Sequence, residues 1–137
     1  DLERRGVCLV VEHGGGEDTA RIDEPRLRQA MFNLMRNAAD AMPDGGTLRI
    51  TTDASPARPL ELSIEDEGPG IDEGVRDRVF EPFFTTKGHG TGLGLAITRQ
   101  IVEAHGGAIE CEPRAPRGTR FIVRLPRPAP PAPLGAT

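Results

Sequence analysis

The segment FEPFFTTKGHGTGLGL, residues 80–95, is the part of this chain whose pattern decides the interpretation of the fold. Glycine occupies every second position from Gly88 to Gly94, so backbone N–H groups can approach a ligand without interference from a Cβ. The residues after Gly92 are typical of a helix, and a helix N-terminus attracts anions through its unpaired amides and its dipole. The segment therefore predicts a mobile, glycine-hinged loop that binds phosphate.

Length and composition restrict the class of protein. The chain has 137 residues, of which 36% are hydrophobic and 28% charged, as expected for one globular domain with a buried core. Its net charge of −4 argues against a nucleic-acid partner. It has no apolar run of about 18 residues, so we expect no direct membrane contact, although a larger parent protein can still be membrane-anchored. Cys8 and Cys111 lack metal-binding spacing, which favours reduced thiols and a cytoplasmic location.

The order of predicted elements indicates the fold class. Strands are predicted at residues 6–12, 47–53, 60–66, 108–112 and 119–125, helices at 23–41, 72–79 and 93–104, and a loop at 13–16. Strands follow one another in pairs, which excludes a doubly wound parallel sheet. We expect an α/β two-layer sandwich in which about three helices cover one face of a mixed, mostly antiparallel sheet of about five strands. Residues 1–126 form this domain, and the proline-rich residues 127–137 are expected to be a disordered tail or linker.

Two asparagines on the first predicted helix are candidate metal ligands. Asn33 and Asn37 are one helical turn apart, so their amides project from the same side. Amide oxygens can face Mg²⁺ bound to nucleotide phosphates, since Mg²⁺ takes few protein ligands. The alternative is that both are polar residues on a solvated helix face.

An acid followed by two glycines is a candidate base-recognition site. Asp66 ends a predicted strand and precedes Gly68 and Gly70. Its carboxylate can accept a hydrogen bond from the amino group of adenine, whereas guanine presents an oxygen at that place. Gly70 allows a flat base to lie against the backbone. The alternative is an ordinary acidic turn.

The segment at residues 80–95 adds candidate phosphate ligands. Lys87 can meet a phosphate as a point charge, and Thr86 can donate its hydroxyl. The glycine run after them is neither a Walker loop nor a GxGxxG dinucleotide motif, because its spacing differs from both. The alternative is a core turn that carries a surface lysine.

Four motifs follow one another along the chain: the asparagine pair, the acid with its two glycines, the run FEPFFTTK at 80–87 and the run GTGLGL at 90–95. In this order they resemble the N, G1, F and G2 boxes of the ATP-binding catalytic domain of sensor histidine kinases. That family belongs to the gyrase, chaperone, kinase and mismatch-repair ATPase superfamily, which has the Bergerat (GHKL) fold. The similarity extends over about residues 6–126 and includes the closing runs GGAI at 106–109 and GTRF at 118–121. The runs NLMRNAADAMPDGGTLRI and EPFFTTK are most similar to the nitrogen-regulator type of histidine kinase.

The resemblance implies a role for each matching residue, with Mg²⁺ and ATP as cofactors. Asn37 would bind Mg²⁺ with support from Asn33, and Asn37 and Lys87 would be catalytic. Asp66 would recognise adenine. The full nucleotide-binding set implied by the resemblance is Asn33, Asn37, Asp66, Gly68, Gly70, Thr86, Lys87, Gly90, Thr91, Gly92, Leu93, Gly94, Leu95 and Thr119.

Three functions compete: phosphotransfer from ATP to a histidine, ATP hydrolysis, and nucleotide binding without chemistry. The resemblance places the water-activating glutamate of the hydrolases four residues before the Mg²⁺-binding asparagine, where this chain has Asn33. A neutral amide cannot take a proton from water, and neither can Arg36. We therefore predict an ATP-dependent histidine kinase with slow intrinsic hydrolysis.

The histidines of this chain do not match the family's phosphoacceptor. His13, His89 and His105 each lie outside a helical, acid-flanked setting, so surface or helix-capping roles are expected. The resemblance therefore implies that the receiving histidine lies on a separate dimerisation domain and that a response regulator acts downstream. The fragment is expected to be monomeric and not to phosphorylate itself.

Overall fold

The computed structural model describes residues 6–16, 25–54, 60–82 and 94–126, with the backbone alone for residues 7–16. Its elements are β1 (Val7–Gly16), α1 (Pro25–Asp40), β2 (Gly46–Ala54), β3 (Leu60–Glu65), α2 (Glu73–Arg76), α3 (Gly94–Ala104), β4 (Ala108–Pro113) and β5 (Thr119–Leu125). This is the order that the sequence predicts. Residues 83–93 and the proline-rich residues 127–137 lie outside the described part, so the predicted tail remains a prediction.

The strands form one five-stranded sheet in the order β1-β2-β3-β5-β4. β1 and β2 are parallel, and the chain passes through α1 between them, as parallel neighbours require a crossover. The pairs β2–β3, β3–β5 and β4–β5 are antiparallel. The expected mixed, mostly antiparallel sheet is therefore confirmed.

Strand alternation separates a core face from an open face. The cross-strand pairs on the core face are Leu60–Leu125, Leu62–Val123 and Ile64–Phe121, and all six side chains are buried. The pairs between them lie on the other face, because successive side chains of a strand point to opposite faces, and they are the charged pair Glu61–Arg124 and the buried pair Ser63–Ile122. On the open face Arg124 contacts Glu61 at 3.3 Å and Glu110 at 2.9 Å, and its hydrogen bond to Glu110 raises the pKa of Arg124. Among the described elements, α1 and α3 lie against the apolar face, and these charged side chains lie on the opposite face.

Helices α1 and α3 cover the core face. The buried residues of α1 recur at helical spacing and include Leu27, Ala30, Leu34 and Ala38, which form one apolar stripe. α1 lies beside α3, whose buried residues include Ile101 and Val102. Two hydrogen bonds end α3, from Gly107 N–H to Val102 O at 3.0 Å and from Gly106 N–H to Glu103 O at 2.9 Å. They form a Schellman motif that needs the positive φ of 76° at Gly106.

Several predicted boundaries differ from the observed ones. β1 continues to Gly16 instead of ending before the glycines, because Gly16 pairs with Ala54 of β2 beyond an irregularity in register that follows His13. β3 ends at Glu65 rather than at residue 66. α2 is one short turn, Glu73–Arg76, rather than a helix over 72–79, and turns follow it to residue 80. The bounds of β5 agree with the prediction.

Candidate functional site

Asn33 and Asn37 lie along one border of the buried stripe of α1. Each directly precedes a fully buried stripe residue, Leu34 or Ala38, and each is itself half-buried. The helix therefore holds both amides on the same side, at the boundary between core and solvent, as the spacing predicts. Asn33 also borders a surface depression of about 440 Å³, together with the 57% exposed Phe32. Whether the two asparagines bind a metal ion or are polar residues at the edge of the solvated face therefore stays a prediction.

Asp66 is a buried acid directly after β3. Its side chain is 2% exposed, and its backbone N–H donates to the carbonyl oxygen of Thr119 at 2.9 Å. Asp66 Oδ1 accepts the N–H of Gly68 at 2.9 Å. A buried carboxylate needs such partners, since desolvation without hydrogen bonds is strongly unfavourable. Asp66 is therefore not part of an exposed acidic turn, and the surrounding backbone fixes the orientation of its carboxylate.

Three glycines bring separate chain segments into contact around this acid. A Cβ on Gly68 would lie 2.7 Å from the carbonyl oxygen of Ala41 and 3.0 Å from Asp66 Oδ1. A Cβ on Gly118 would overlap the carbonyl oxygen of Asp66, and Gly118 has a φ of +116°. Gly70 has a φ of +82°, and a Cβ there would lie 3.3 Å from the carbonyl oxygen of Gly118. No larger residue fits these positions without a shift of the backbone.

The loop after β3 is also tied to the end of α1. Glu67 N–H contacts Met42 Sδ at 3.4 Å, and Glu67 Oε1 accepts the N–H of Thr47 at 2.8 Å. Ala41, which Gly68 contacts, donates its N–H to the carbonyl oxygen of Asn37 at 3.1 Å. The structure therefore brings Asn37 and the loop of Asp66 into one region, separated by a single helical turn.

Thr119 and the start of α3 complete the described part of the site. Thr119 begins β5 and is 4% exposed, opposite Asp66. α3 begins at Gly94, and the buried Thr98 donates its hydroxyl to the carbonyl oxygen of Gly94 at 2.8 Å. Leu95 is half-buried and packs against the core. The predicted ligands Thr86, Lys87, Gly90, Thr91, Gly92 and Leu93 lie outside the described residues, so their roles stay predictions.

A half-buried cysteine lies near Asp66. Burial raises the pKa of the Cys111 thiol to about 11, and the negative charge of Asp66 adds to this effect while Arg76 opposes it. Arg76 Nε is itself buried without a hydrogen-bond partner within the described residues. Phe80, the first residue of the segment 80–95, packs edge-on against Phe121 with ring centroids 6.0 Å apart. This contact anchors the start of that segment to the core.

Two residues of the site went unassigned in the sequence analysis. Gly118 was quoted in a motif without a role, and Arg117 was not singled out. The RGT run before a predicted strand was the available signal, but close backbone contact with Asp66 follows from the sheet register.

His105 Nδ1 lies 2.7 Å from the carbonyl oxygen of Ile101, which fits the expected capping role. Among the described residues, no cluster of three or more His, Cys, Asp or Glu side chains is arranged for a metal ion. None of the described helices has the length and apolar character needed to cross a membrane.

The architecture is that of the Bergerat (GHKL) α/β fold. More narrowly, the chain belongs to the family of histidine kinase-, DNA gyrase B- and HSP90-like ATPases, whose model matches residues 22–129. Sporulation kinase A of Bacillus subtilis is 42% identical over 105 residues, which cover 77% of this chain but 17% of that protein. The chain thus spans less than a fifth of this relative.

Solved structures agree with the family. The nucleotide-free catalytic domain of the histidine kinase ThkA has a TM-score of 0.81 at 36% identity, over 92% of this chain and 82% of that one. ThkA in complex with the response regulator protein TrrA has a TM-score of 0.73 at 31% identity, over 93% and 36% of the two chains. Full-length ShkA in complex with AMPPNP has a TM-score of 0.81 at 31% identity, over 92% and 27%. The predicted histidine-kinase family is therefore confirmed, and the nitrogen-regulator subtype stays a prediction.

Proposed function

We propose that this chain binds Mg²⁺-ATP and transfers the γ-phosphoryl group to a histidine on a separate dimerisation domain in two-component signalling. The observation that carries the proposal is the buried carboxylate of Asp66, held by Gly68 N–H at 2.9 Å beside the end of the helix that bears Asn37. The AMPPNP complex of ShkA supports an adenine nucleotide as ligand.

Asp66 recognises adenine by accepting a hydrogen bond from its amino group. The carboxylate is already desolvated and oriented in the folded protein, so binding does not have to order it. A hydrogen bond in such a setting is electrostatically stronger than one in water. Guanine would place an oxygen against this acceptor and be repelled. Gly70 and Thr119 shape the wall beside the base.

The two asparagines fit a magnesium ion that arrives with the nucleotide. Both are half-buried neutral oxygen donors on one helix border, and Mg²⁺ takes few protein ligands when phosphates supply the others. The ion would neutralise phosphate charge during transfer. Asn37 is proposed as the ligand and Asn33 as its support. Lys87, Thr86 and the amides of the glycine run are proposed to hold the phosphates, with Leu93 and Leu95 anchoring that segment.

Phosphotransfer is favoured over hydrolysis because α1 has no buried acid that could activate water. Asn33 is neutral, and the single acidic residue of α1, Asp40, is exposed. An incoming neutral imidazole is already nucleophilic, so positioning and charge neutralisation are enough. The acceptor domain, a downstream response regulator, a monomeric fragment and a cytoplasmic location are parts of this proposal. The ThkA–TrrA complex supports the response regulator.

The proposal is tested in two steps with purified protein. Calorimetry with Mg²⁺ and ADP or ATP should show binding, which Asp66→Asn should weaken by about 10- to 100-fold. Labelled γ-phosphate should then pass to a supplied histidine-bearing dimerisation domain, while the chain alone remains unlabelled. Binding without transfer to any acceptor would favour a bare binding module. Steady ATP turnover by the chain alone, lost in Asn33→Ala, would favour the hydrolase.

A further inference from the structure

Arg117 reaches from the turn between β4 and β5 into the loop that follows β3. Its Nε donates to the carbonyl oxygen of Gly68 at 3.0 Å, across 49 residues of chain. The residue is otherwise exposed, so the contact is not imposed by packing. Its acceptor is the backbone of the candidate site rather than a neighbouring acid.

The Gly68 carbonyl occupies a special place in that loop. The next residue is Pro69, which has no N–H, so this carbonyl is the single hydrogen-bonding group of the Gly68–Pro69 peptide. On its other side, Gly68 donates its own N–H to Asp66 Oδ1 at 2.9 Å. Gly68 is therefore held from both ends, by Arg117 through its carbonyl and by Asp66 through its amide.

The turn that carries Arg117 is itself held in place. Arg114 Nη1 donates to the carbonyl oxygen of Arg117 at 3.0 Å, and Arg114 N–H donates to that of Gly118 at 3.1 Å. Arg114 Nε also lies 3.9 Å from Glu65 Oε1, with both side chains 20% exposed. Gly118 meets the Asp66 carbonyl from this same turn. The backbone of Arg117 therefore has a defined position relative to Asp66.

We infer that Arg117 is a positioning residue for base recognition. It acts through Gly68, whose carbonyl it holds and whose N–H keeps the Asp66 carboxylate in its orientation. This inference rests on the proposed nucleotide function. The Gly68 carbonyl belongs to the Gly68–Pro69 peptide and the Gly68 N–H to the Glu67–Gly68 peptide, and the two units meet at the Gly68 Cα. If Gly68 shifts when the Arg117 contact is lost, its N–H leaves Asp66 Oδ1 and the carboxylate loses one of the contacts that orient it. The consequence is a weaker preference for adenine over guanine, in addition to weaker binding.

Two substitutions of Arg117 separate the effect of its hydrogen bond from the effects of its charge and side-chain length. Arg117→Met places a methyl carbon where Arg has Nε, and so removes the donor together with the rest of the guanidinium group. Arg117→Gln places an amide nitrogen at that position, and so keeps a donor without the positive charge. Arg99→Met is the matched control, because Arg99 makes an exposed contact with Glu103 at 3.3 Å within α3.

The measurements are dissociation constants for ADP and GDP, the melting temperature, and the ¹⁵N–¹H resonance of the Gly68 amide. We expect Arg117→Met to weaken ADP binding about tenfold, as for loss of one hydrogen bond. The ADP-to-GDP preference should fall with it, and the Gly68 amide resonance should shift. Arg117→Gln should restore the affinity, the preference and the resonance, while Arg99→Met should equal wild type throughout.

Each other outcome overturns the inference. Wild-type values for Arg117→Met mean that the contact does not position Asp66. Parallel weakening of ADP and GDP binding, or early melting of both Arg117 variants, means that the residue supports the fold only. Failure of the unmodified protein to bind ADP is different, because it removes the proposed function itself and the inference with it.

Discussion

Gly118 lies against Asp66 so closely that a Cβ on Gly118 would overlap the carbonyl oxygen of Asp66. The contact joins the turn before β5 to the loop after β3, and the hydrogen bond from Asp66 N–H to Thr119 O at 2.9 Å lies directly beside it. The acid that we propose to recognise adenine is therefore positioned by backbone atoms of a segment about fifty residues further along the chain.

Gly118→Ala should destabilise the protein and weaken nucleotide binding. The φ of +116° disfavours any residue with a Cβ, and the overlap with Asp66 adds to that strain. We expect the free energy of unfolding to fall by about 2 kcal/mol or more, measured by chemical denaturation. Gly74→Ala is the control, since a Cβ there meets nothing within 4 Å and α2 favours alanine. Equal stability of the two variants would contradict the strain argument.

Asp66→Asn should weaken ADP binding by about 10- to 100-fold, because the single amide oxygen accepts the Gly68 N–H and the amide nitrogen, a donor, then faces the amino group of adenine. The fold should remain, since the amide oxygen can still accept the N–H of Gly68. Calorimetry gives the affinity and thermal melting gives the stability. Asp44→Asn, in an exposed turn, serves as the control. Wild-type affinity for Asp66→Asn would remove this acid from base recognition.

Asn37→Ala should make nucleotide affinity insensitive to Mg²⁺. The substitution removes the proposed metal ligand from α1 and leaves the helix intact, because alanine favours helix more than asparagine does. We would compare ADP dissociation constants with Mg²⁺ and with EDTA. Gln29→Ala, at an exposed position of the same helix, should keep the wild-type response to Mg²⁺. An unchanged response in Asn37→Ala would place the ion elsewhere.

Cys111 should react slowly with thiol reagents at pH 8, since burial raises its pKa to about 11 and the thiol stays protonated. A Cys8→Ser background leaves one thiol for a colorimetric assay. Reaction at the rate of a thiol in a short peptide would contradict the buried position.

The raised pKa of Cys111 should also change the free energy of unfolding at high pH. The pKa is raised from 9.0 in the unfolded reference to about 11 in the folded chain, so the protonated thiol stabilises the fold below pH 9. That contribution should decline as the pH rises from 9 to about 11. Denaturation curves of wild type and Cys111→Ala should therefore converge in this range, and a constant difference would contradict the assignment.

Prediction succeeded where side-chain alternation was regular. β5 was predicted with correct bounds because Phe121, Val123 and Leu125 alternate with polar or open-face residues and are buried on one face. It failed where tertiary pairing overrides local preference. β1 extends through the glycines because Gly16 pairs with Ala54 of β2 beyond a register irregularity. α2 stops early because the following residues turn towards the core through Val79 and Phe80.

The order and spacing of residues alone determined the two-layer fold class, the position of Asn33 and Asn37 on the same side of α1, and the placement of an acid before two glycines. These features depend on the periods of helix and strand. Tertiary structure alone showed that Asp66 is buried against Gly118 and Thr119, and that Arg117 holds the Gly68 carbonyl. Those contacts arise from the antiparallel register of β3 and β5, which joins segments distant in sequence, so the local RGT run could not show which residues it would contact.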